Sequence, residues 1–168
     1  VTGKIAAWSE FAQPLYHCEV AMRDGVNDPR VVFNERFGFR ALGRAGQHVT
    51  INGRPVFFRG NLECAAFPLT GHPPTDVESW RKIWLVYREH NLNHARFHSW
   101  CPPRAAFEAA DELGIYLQVE APIWMDQWMT KPNPRPEMDT AGYPQGLGKN
   151  DRGNDAFARA EIDRILDV

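Results

Sequence analysis

Asn93-His94-Ala95-Arg96-Phe97-His98-Ser99-Trp100-Cys101-Pro102-Pro103 is followed, one helix-length later, by Asp111-Glu112-Leu113-Gly114-Ile115-Tyr116-Leu117-Gln118-Val119-Glu120. Each run reads as a buried strand ending in polar and aromatic groups. The segment between them reads as a helix: Pro102-Pro103 opens it, Ala106, Phe107, Ala110 and Leu113 share one face, and Gly114 stops it. Upstream, Phe57 to Asn61 reads as a short strand. After a loop rich in Pro and Gly, Thr75 stands three residues before Glu78 in a capping-box pattern, so a helix is expected to start there. Trp80, Ile83, Trp84 and Tyr87 form its apolar stripe, and Asn91 can end it in the left-handed conformation. A last amphipathic helix turns Ala158, Ile162, Ile165 and Leu166 inward. Strands alternating with helices imply a parallel sheet with right-handed crossovers, and a parallel α/β barrel places its active site at the C-terminal ends of its strands.

A complete barrel takes about 250 residues, whereas three strand–helix units are visible from residue 47 onward. The barrel therefore cannot close within this chain, and self-association through its open edges is expected. The part before Gly46 has the texture of a β-sandwich. Pro14 to Met22, Val31 to Phe33 and Phe37 to Ala41 read as strands, with Asp24-Gly25 as a turn. Val49-Thr50-Ile51, Asn52-Gly53 and Arg54 to Phe58 read as a hairpin, because Asn-Gly accepts the positive φ angles of a tight turn. A free-standing sandwich needs about seven strands, so this piece begins partway through one. The expected fold class is mixed: residues 1–46 as the last strands of a β-sandwich, residues 47–168 as the first part of a (β/α)8 barrel.

Composition narrows the partners. The chain has 168 residues and a formal net charge of −2. Without a basic stripe, nucleic acid is not an expected partner. No apolar run is long enough to span a bilayer, so no membrane partner is expected either. Cys18, Cys64 and Cys101 show no CxxC spacing and read as buried free thiols rather than a disulfide framework or zinc knuckle. Residues 121–154 read as a loop well beyond the usual length of about 12 to 15 residues.

Side-chain direction alternates along a strand, so Arg96 and His98 are expected on one face and Phe97 on the other, with Trp100 continuing the polar face into the loop. Glu120 and Trp124 close the third strand, and Asn61 and Glu63 close the first. Three strands would thus deliver hydrogen-bonding groups and flat aromatic faces to one end. Sugars need that mixture. Three other readings compete for the same residues. Arg96 and Glu120 could form a structural ion pair. His94 and His98 could ligate a metal, although four residues along a strand separate them by about 13 Å. Cys101 beside His98 could be a nucleophile and its base, although no third group is visible. No metal or other cofactor is expected.

The order Trp8-Ser9-Glu10, Pro14-Leu15-Tyr16, Arg36-Phe37-Gly38-Phe39-Arg40, Ile51 to Asn61, Asn93…Arg96…His98 and Asp111 to Glu120 resembles glycoside hydrolase family 2, the family of β-galactosidases, β-glucuronidases and β-mannosidases. The resemblance implies the end of an immunoglobulin-like sandwich joined to the first three units of a TIM-barrel hydrolase. It also implies a retaining exo-glycosidase acting on terminal β-glycosidic bonds, with an oligosaccharide or glycoside as substrate and no cofactor. Two glutamates carry that chemistry, and by the family pattern both fall beyond Val168. The Asn34-Glu35 pair lies in the sandwich and cannot be the catalytic one. The fragment alone is therefore expected to be inactive, its partner being the remainder of the parent polypeptide. Asn61, Glu63, Arg96, His98, Trp100, Glu120 and Trp124 are the expected substrate-binding residues, Glu120 as a supporting residue. The family commonly shows Arg-x-Ser-His-aromatic-Pro after the second strand, whereas Arg96-Phe97-His98-Ser99-Trp100-Cys101-Pro102 exchanges Ser and His and adds a residue. The identity of the sugar is therefore not transferable. The alternative is a non-catalytic carbohydrate-binding or scaffold derivative of the same architecture. For a polysaccharide-degrading parent, a periplasmic or secreted location is expected over a cytoplasmic one.

Overall fold

A computed structural model describes residues 4–22, 25, 30–122 and 152–167. Strands β1 (Tyr16–Met22) and β2 (Arg30–Phe37) pair antiparallel. Strands β3 (Leu42–Ala45), β4 (His48–Ile51) and β5 (Arg54–Pro55) form a second antiparallel sheet. Strands β6 (Gly60–Glu63), β7 (His94–Phe97) and β8 (Tyr116–Val119) form a parallel sheet in sequence order. Helix α1 (Val77–Glu89) joins β6 to β7, α2 (Arg104–Leu113) joins β7 to β8, and α3 (Arg152–Leu166) follows.

The parallel unit is organised by the alternation of β7. Ala95 and Phe97 are fully buried beneath α1 and α2, while His94 and Arg96 face the other way. Trp80 and Trp84 stack at 5.3 Å between ring centres, and Phe97 meets Trp84 and Trp100 edge-on at 6.2 and 5.1 Å. From α2 the buried residues are all alanines, Ala105, Ala106, Ala109 and Ala110. Small side chains there let the α2 backbone come close enough for the buried indole of Trp84 to donate to the Ala106 carbonyl at 3.0 Å. Both helices pack on the same face, so the chain winds β6–α1–β7–α2–β8 without reversal. A smaller cluster of Trp8, Ile51 and Tyr116 lies at the N-terminal end of the sheet.

Local chemistry explains the element ends and several departures from expectation. The cap of α1 is Asp76, not Thr75: its carboxylate accepts the Ser79 N–H at 2.8 Å. Asn91 takes a φ of 57° after α1, and Gly114 a φ of 74° after α2. Asn52 and Gly53 both have positive φ in the β4–β5 turn. The first strand of the parallel sheet starts at Gly60, three residues later than Phe57, since β6 must come close to His94 and only glycine leaves the space. Residues 31–41 give one strand, β2, and then an irregular link rather than two strands. Gly46 lies in the tight β3–β4 turn, between strands that pair with each other. The buried face of α2 is rotated toward Ala105 and Ala109, leaving Phe107 and Leu113 half-buried. Ile162 and Leu166 of α3 are exposed, and Cys64 is an exposed thiol while Cys18 and Cys101 are half-buried. No helix among the described residues is long and apolar enough to cross a membrane.

Replacing Trp84 removes a fully buried ring and its hydrogen bond, so Trp84→Ala should lower unfolding free energy by about 3–5 kcal/mol. Ile162→Ala, at a position 47% exposed, should change it by less than about 0.5 kcal/mol. Urea denaturation followed by tryptophan fluorescence separates the two; equal losses would mean that the aromatic layer is not the core.

Candidate functional site

Register decides which polar groups share a face. Arg96 pairs with Leu62 on one side and Gln118 on the other, and partners across a parallel ladder point the same way. These three, with His94 and Tyr116 below and Glu120 above, occupy the face opposite the helices. Asn61 and Glu63 pair with Ala95 and Phe97. The expectation that they join Arg96 is therefore corrected: they stand at the same strand ends but on the helix side, near Tyr87. The Tyr87 hydroxyl is buried without an aligned hydrogen-bond partner, and burial, the largest influence, raises its pKa.

The centre of the polar face is a carboxylate held from three directions. Glu120 Oε1 accepts from Arg96 Nε at 2.6 Å, with Arg96 Nη2 2.5 Å away. Glu120 Oε2 accepts the Ser99 backbone N–H at 2.9 Å. Ser99 reaches it by adopting a φ of 60°, in the left-handed region where non-glycine residues are uncommon. The Ser99 N–H does most to hold the Glu120 pKa below the ordinary Glu value of 4.5; slight desolvation opposes it, and Arg96 and the nearby His98 add to it. The turn is fixed from below as well. The Glu63 carbonyl accepts the His98 N–H at 2.9 Å and the Trp100 indole N–H at 3.1 Å, so Glu63 contributes through its backbone.

Trp100 does not continue the polar face. It packs against Phe97 and Phe67 on the helix side, because alternation ends with the strand and Ser99 reverses the chain. Trp124 lies outside the described residues. Of the seven residues expected at the site, Arg96, His98 and Glu120 come together. Ser99 and Gln118 join them, and the alternation that singles out Arg96 and Glu120 also marks Gln118.

The competing chemistries fare differently. The Arg96–Glu120 ion pair is formed. His94 packs on Phe58 at 5.0 Å, and burial lowers its pKa; among the described residues no three His, Cys, Asp or Glu side chains converge. Burial pushes the Cys101 thiol up, opposite to what a nucleophile needs. Below the ion pair, a cleft of about 320 Å³ is lined by Arg40, Phe58, His94, Tyr116 and Gln118, among others.

No family model matches the chain. The β-galactosidase of Vibrio cholerae is 29% identical over 114 residues, covering 68% of this chain and 11% of that protein. The β-galactosidase of Pseudoalteromonas haloplanktis is 28% identical over 116 residues, covering 69% and 11%. The chain is glycoside hydrolase family 2-like. It spans about a tenth of the length of these relatives. Two solved structures share the fold of this family 2-like chain. Parabacteroides merdae β-glucuronidase superposes with a TM-score of 0.59 at 22% identity, over 70% of this chain and 15% of that one. Ruminococcus gnavus β-glucuronidase, in complex with a C6-substituted uronic isofagomine, gives 0.63 at 20%, over 75% and 21%.

A carboxylate with a depressed pKa keeps its contacts above the ordinary range and loses them as pH falls through the depressed value. The Ser99 amide resonance should therefore titrate with a midpoint below 4.5, and Glu120→Gln should abolish that titration. A midpoint at or above 4.5 would show that the Glu120–Ser99 contact does not hold in solution.

Proposed function

We propose that this chain is part of a retaining exo-acting β-glycosidase, β-galactosidase-like, and that it supplies groups positioning the terminal sugar rather than those cleaving the bond. Residues 1–46 are read as the last strands of an immunoglobulin-like sandwich, and residues 47–168 as the first three units of the catalytic barrel. The observation that carries this is the unreversed β6–α1–β7–α2–β8 winding with Arg96, His98 and Glu120 gathered at its C-terminal end. Barrel enzymes bind substrate at that end. Similarity to β-galactosidases over two thirds of the chain supports the same reading.

Retaining hydrolysis needs one carboxyl group as acid/base and another as nucleophile, about 5–5.5 Å apart. Glu120 suits neither role. One oxygen is committed to Arg96 and the other to Ser99, and its depressed pKa opposes the protonated form a general acid requires. In this proposal both catalytic glutamates belong to a longer polypeptide, Arg96 and His98 offer donors to sugar hydroxyls, and Glu120 holds Arg96 in place. The substrate is a glycoside, and the exposed sheet edges meet the rest of that polypeptide.

Expressed alone, the 168-residue chain should not hydrolyse 4-nitrophenyl β-galactoside, β-glucuronide or β-mannoside. The polypeptide extended along the same reading frame should hydrolyse at least one of them and release the β-anomer first, as seen by proton NMR. Hydrolysis by the short chain, an extended chain inactive on all three, or initial release of the α-anomer would overturn the proposal. Inactivity with retained sugar binding would favour a non-catalytic carbohydrate-binding derivative.

A further inference from the structure

We infer that the N-terminal end of the parallel sheet carries a second carbohydrate-binding site, a cleft beside Phe11, Glu10, Arg88 and Asn91 that takes one uncharged sugar residue of an oligosaccharide. It stands apart from the Arg96–Glu120 end and does not rest on the glycosidase reading, since none of it depends on a bond being cleaved.

The segments leading into all three parallel strands build this cleft. Arg59 leads into β6, Asn93 into β7 and Gly114 into β8, while Glu10, Phe11 and Arg88 complete the lining. Its volume is about 160 Å³, below the range of about 300–1,000 Å³ typical of sites that enclose drug-sized ligands. It therefore holds one small ring rather than a whole oligosaccharide. The four residues of β7 span about 13 Å, so a single sugar residue does not occupy both ends of the sheet.

Phe11 is 85% exposed, yet its backbone is fixed. The Ser9 N–H donates to the Ala12 carbonyl at 2.7 Å and the Ala12 N–H to the Ser9 carbonyl at 3.2 Å. Ser9 Oγ accepts the Phe11 and Ala12 N–H groups at 3.3 Å each. Nearby in the chain, Trp8 is buried and the Glu10 side chain is 10% exposed. An exposed flat ring on so constrained a turn can stack on the C–H face of a pyranose with little further ordering.

The polar groups complete the match. Glu10 Oε2 accepts from Asn93 and lies 3.5 Å from Arg59. Arg59 Nε donates to the Asn91 carbonyl at 2.7 Å and Nη1 to the Phe57 carbonyl at 3.3 Å. These contacts hold the N-terminal segment on the sheet. Arg88 is steadied by donation from Nη1 to the Leu113 carbonyl. Among the described residues, Glu10 Oε1, the Asn91 side-chain amide, and Arg88 Nε and Nη2 have no hydrogen-bond partner. They offer an acceptor, a group that both donates and accepts, and two donors, which suits vicinal hydroxyls. Charge disfavours simpler ligands: Glu10, Arg59 and Arg88 are the charged residues lining the cleft, so an anion meets Glu10 and a cation meets two guanidiniums. A hydroxyl donates to the first and accepts from the others.

The test is proton–nitrogen correlation NMR of the 168-residue chain titrated with the tetraoses of β-1,4-galactan, cellulose and β-1,4-mannan at millimolar concentration, and separately with inorganic phosphate. At least one tetraose should shift the Phe11, Asn91 and Gly114 amides, and phosphate should not. Phe11→Ala should weaken that binding about tenfold, Phe11→Trp should preserve it, and Arg96→Gln should leave it unchanged. Phe11 is exposed, so its replacement should leave the rest of the spectrum in place. No shift at these amides with any tetraose, a shift with phosphate instead, equal binding by Phe11→Ala, or loss of binding in Arg96→Gln would overturn the inference. The glycosidase reading would survive each of these results, because it is decided by hydrolysis in the extended polypeptide.

Discussion

The structure depends on one wedge: Phe97, without exposed surface, beneath Trp80, Trp84 and Trp100. A strand presents alternate residues to opposite faces. Once Phe97 and Ala95 are committed to the helices, Arg96 has nowhere to go but the opposite face. The same commitment sets the neighbours through register: Leu62 and Gln118 join Arg96, while Asn61 and Glu63 are carried to the helix side. Core packing thus aims the polar site, and a one-residue slip of β7 would bury Arg96 and turn Phe97 outward.

The two ends of the parallel sheet do different work. At the N-terminal end, Trp8 is 2% exposed and its indole donates to the Asp111 carbonyl at 2.7 Å across a sequence separation of 103 residues. Glu10 accepts from Asn93, which precedes β7, and lies 3.5 Å from Arg59, which precedes β6. Gly114 is required there twice over. Its φ is positive, and a Cβ would come within 2.8 Å of the Glu10 carbonyl. Arg36–Glu112 at 2.7 Å and Arg104–Glu35 tie β2 to α2. Burial resists ionisation of Glu112, but Arg81 and Arg36 outweigh it and hold its pKa down. Exposed pairs are individually weak, so the buried indole carries more of this attachment than the ions. The C-terminal end has no comparable plug among the described residues, and there the Arg96 side chain stays 45% exposed.

Elements with strong periodicity were legible from residue types: the Trp80–Trp84–Tyr87 stripe, the Asn52-Gly53 turn, the Gly114 stop and the opposite facing of Arg96 and Phe97. Other features depend on relations that a single strand does not contain. That Asn61 shares a face with Ala95 follows from register between strands, which the short, locally featureless run Gly60–Glu63 does not specify. Phe57 and Phe58 look like strand residues because they are apolar, yet Phe58 packs across the sheet end against His94 and Tyr116 at 5.0 and 5.5 Å. The Asn34-Glu35 pair, a decoy as a catalytic motif, holds a structural contact instead, Glu35 to Arg104. Trp100 eluded the alternation rule because that rule ends where extended backbone ends.

The reversal at Ser99 connects the unusual order of residues after β7 to the site. A left-handed conformation costs a non-glycine residue on the order of 1–2 kcal/mol, so it persists only where surrounding contacts over-determine it. Those contacts are visible on both sides of the turn: the Glu63 carbonyl takes the His98 N–H and the Trp100 indole, and Glu120 takes the Ser99 N–H. The exchanged Ser and His place the smaller side chain at the strained position, where a bulky group would be harder to accommodate. They also leave His98 beside Glu120 and send Trp100 back to the core. The sequence Arg96-Phe97-His98-Ser99-Trp100 is thus a single device in which Phe97 and Trp100 anchor the loop, Ser99 bends it, and Arg96 and His98 flank the carboxylate that the bend secures.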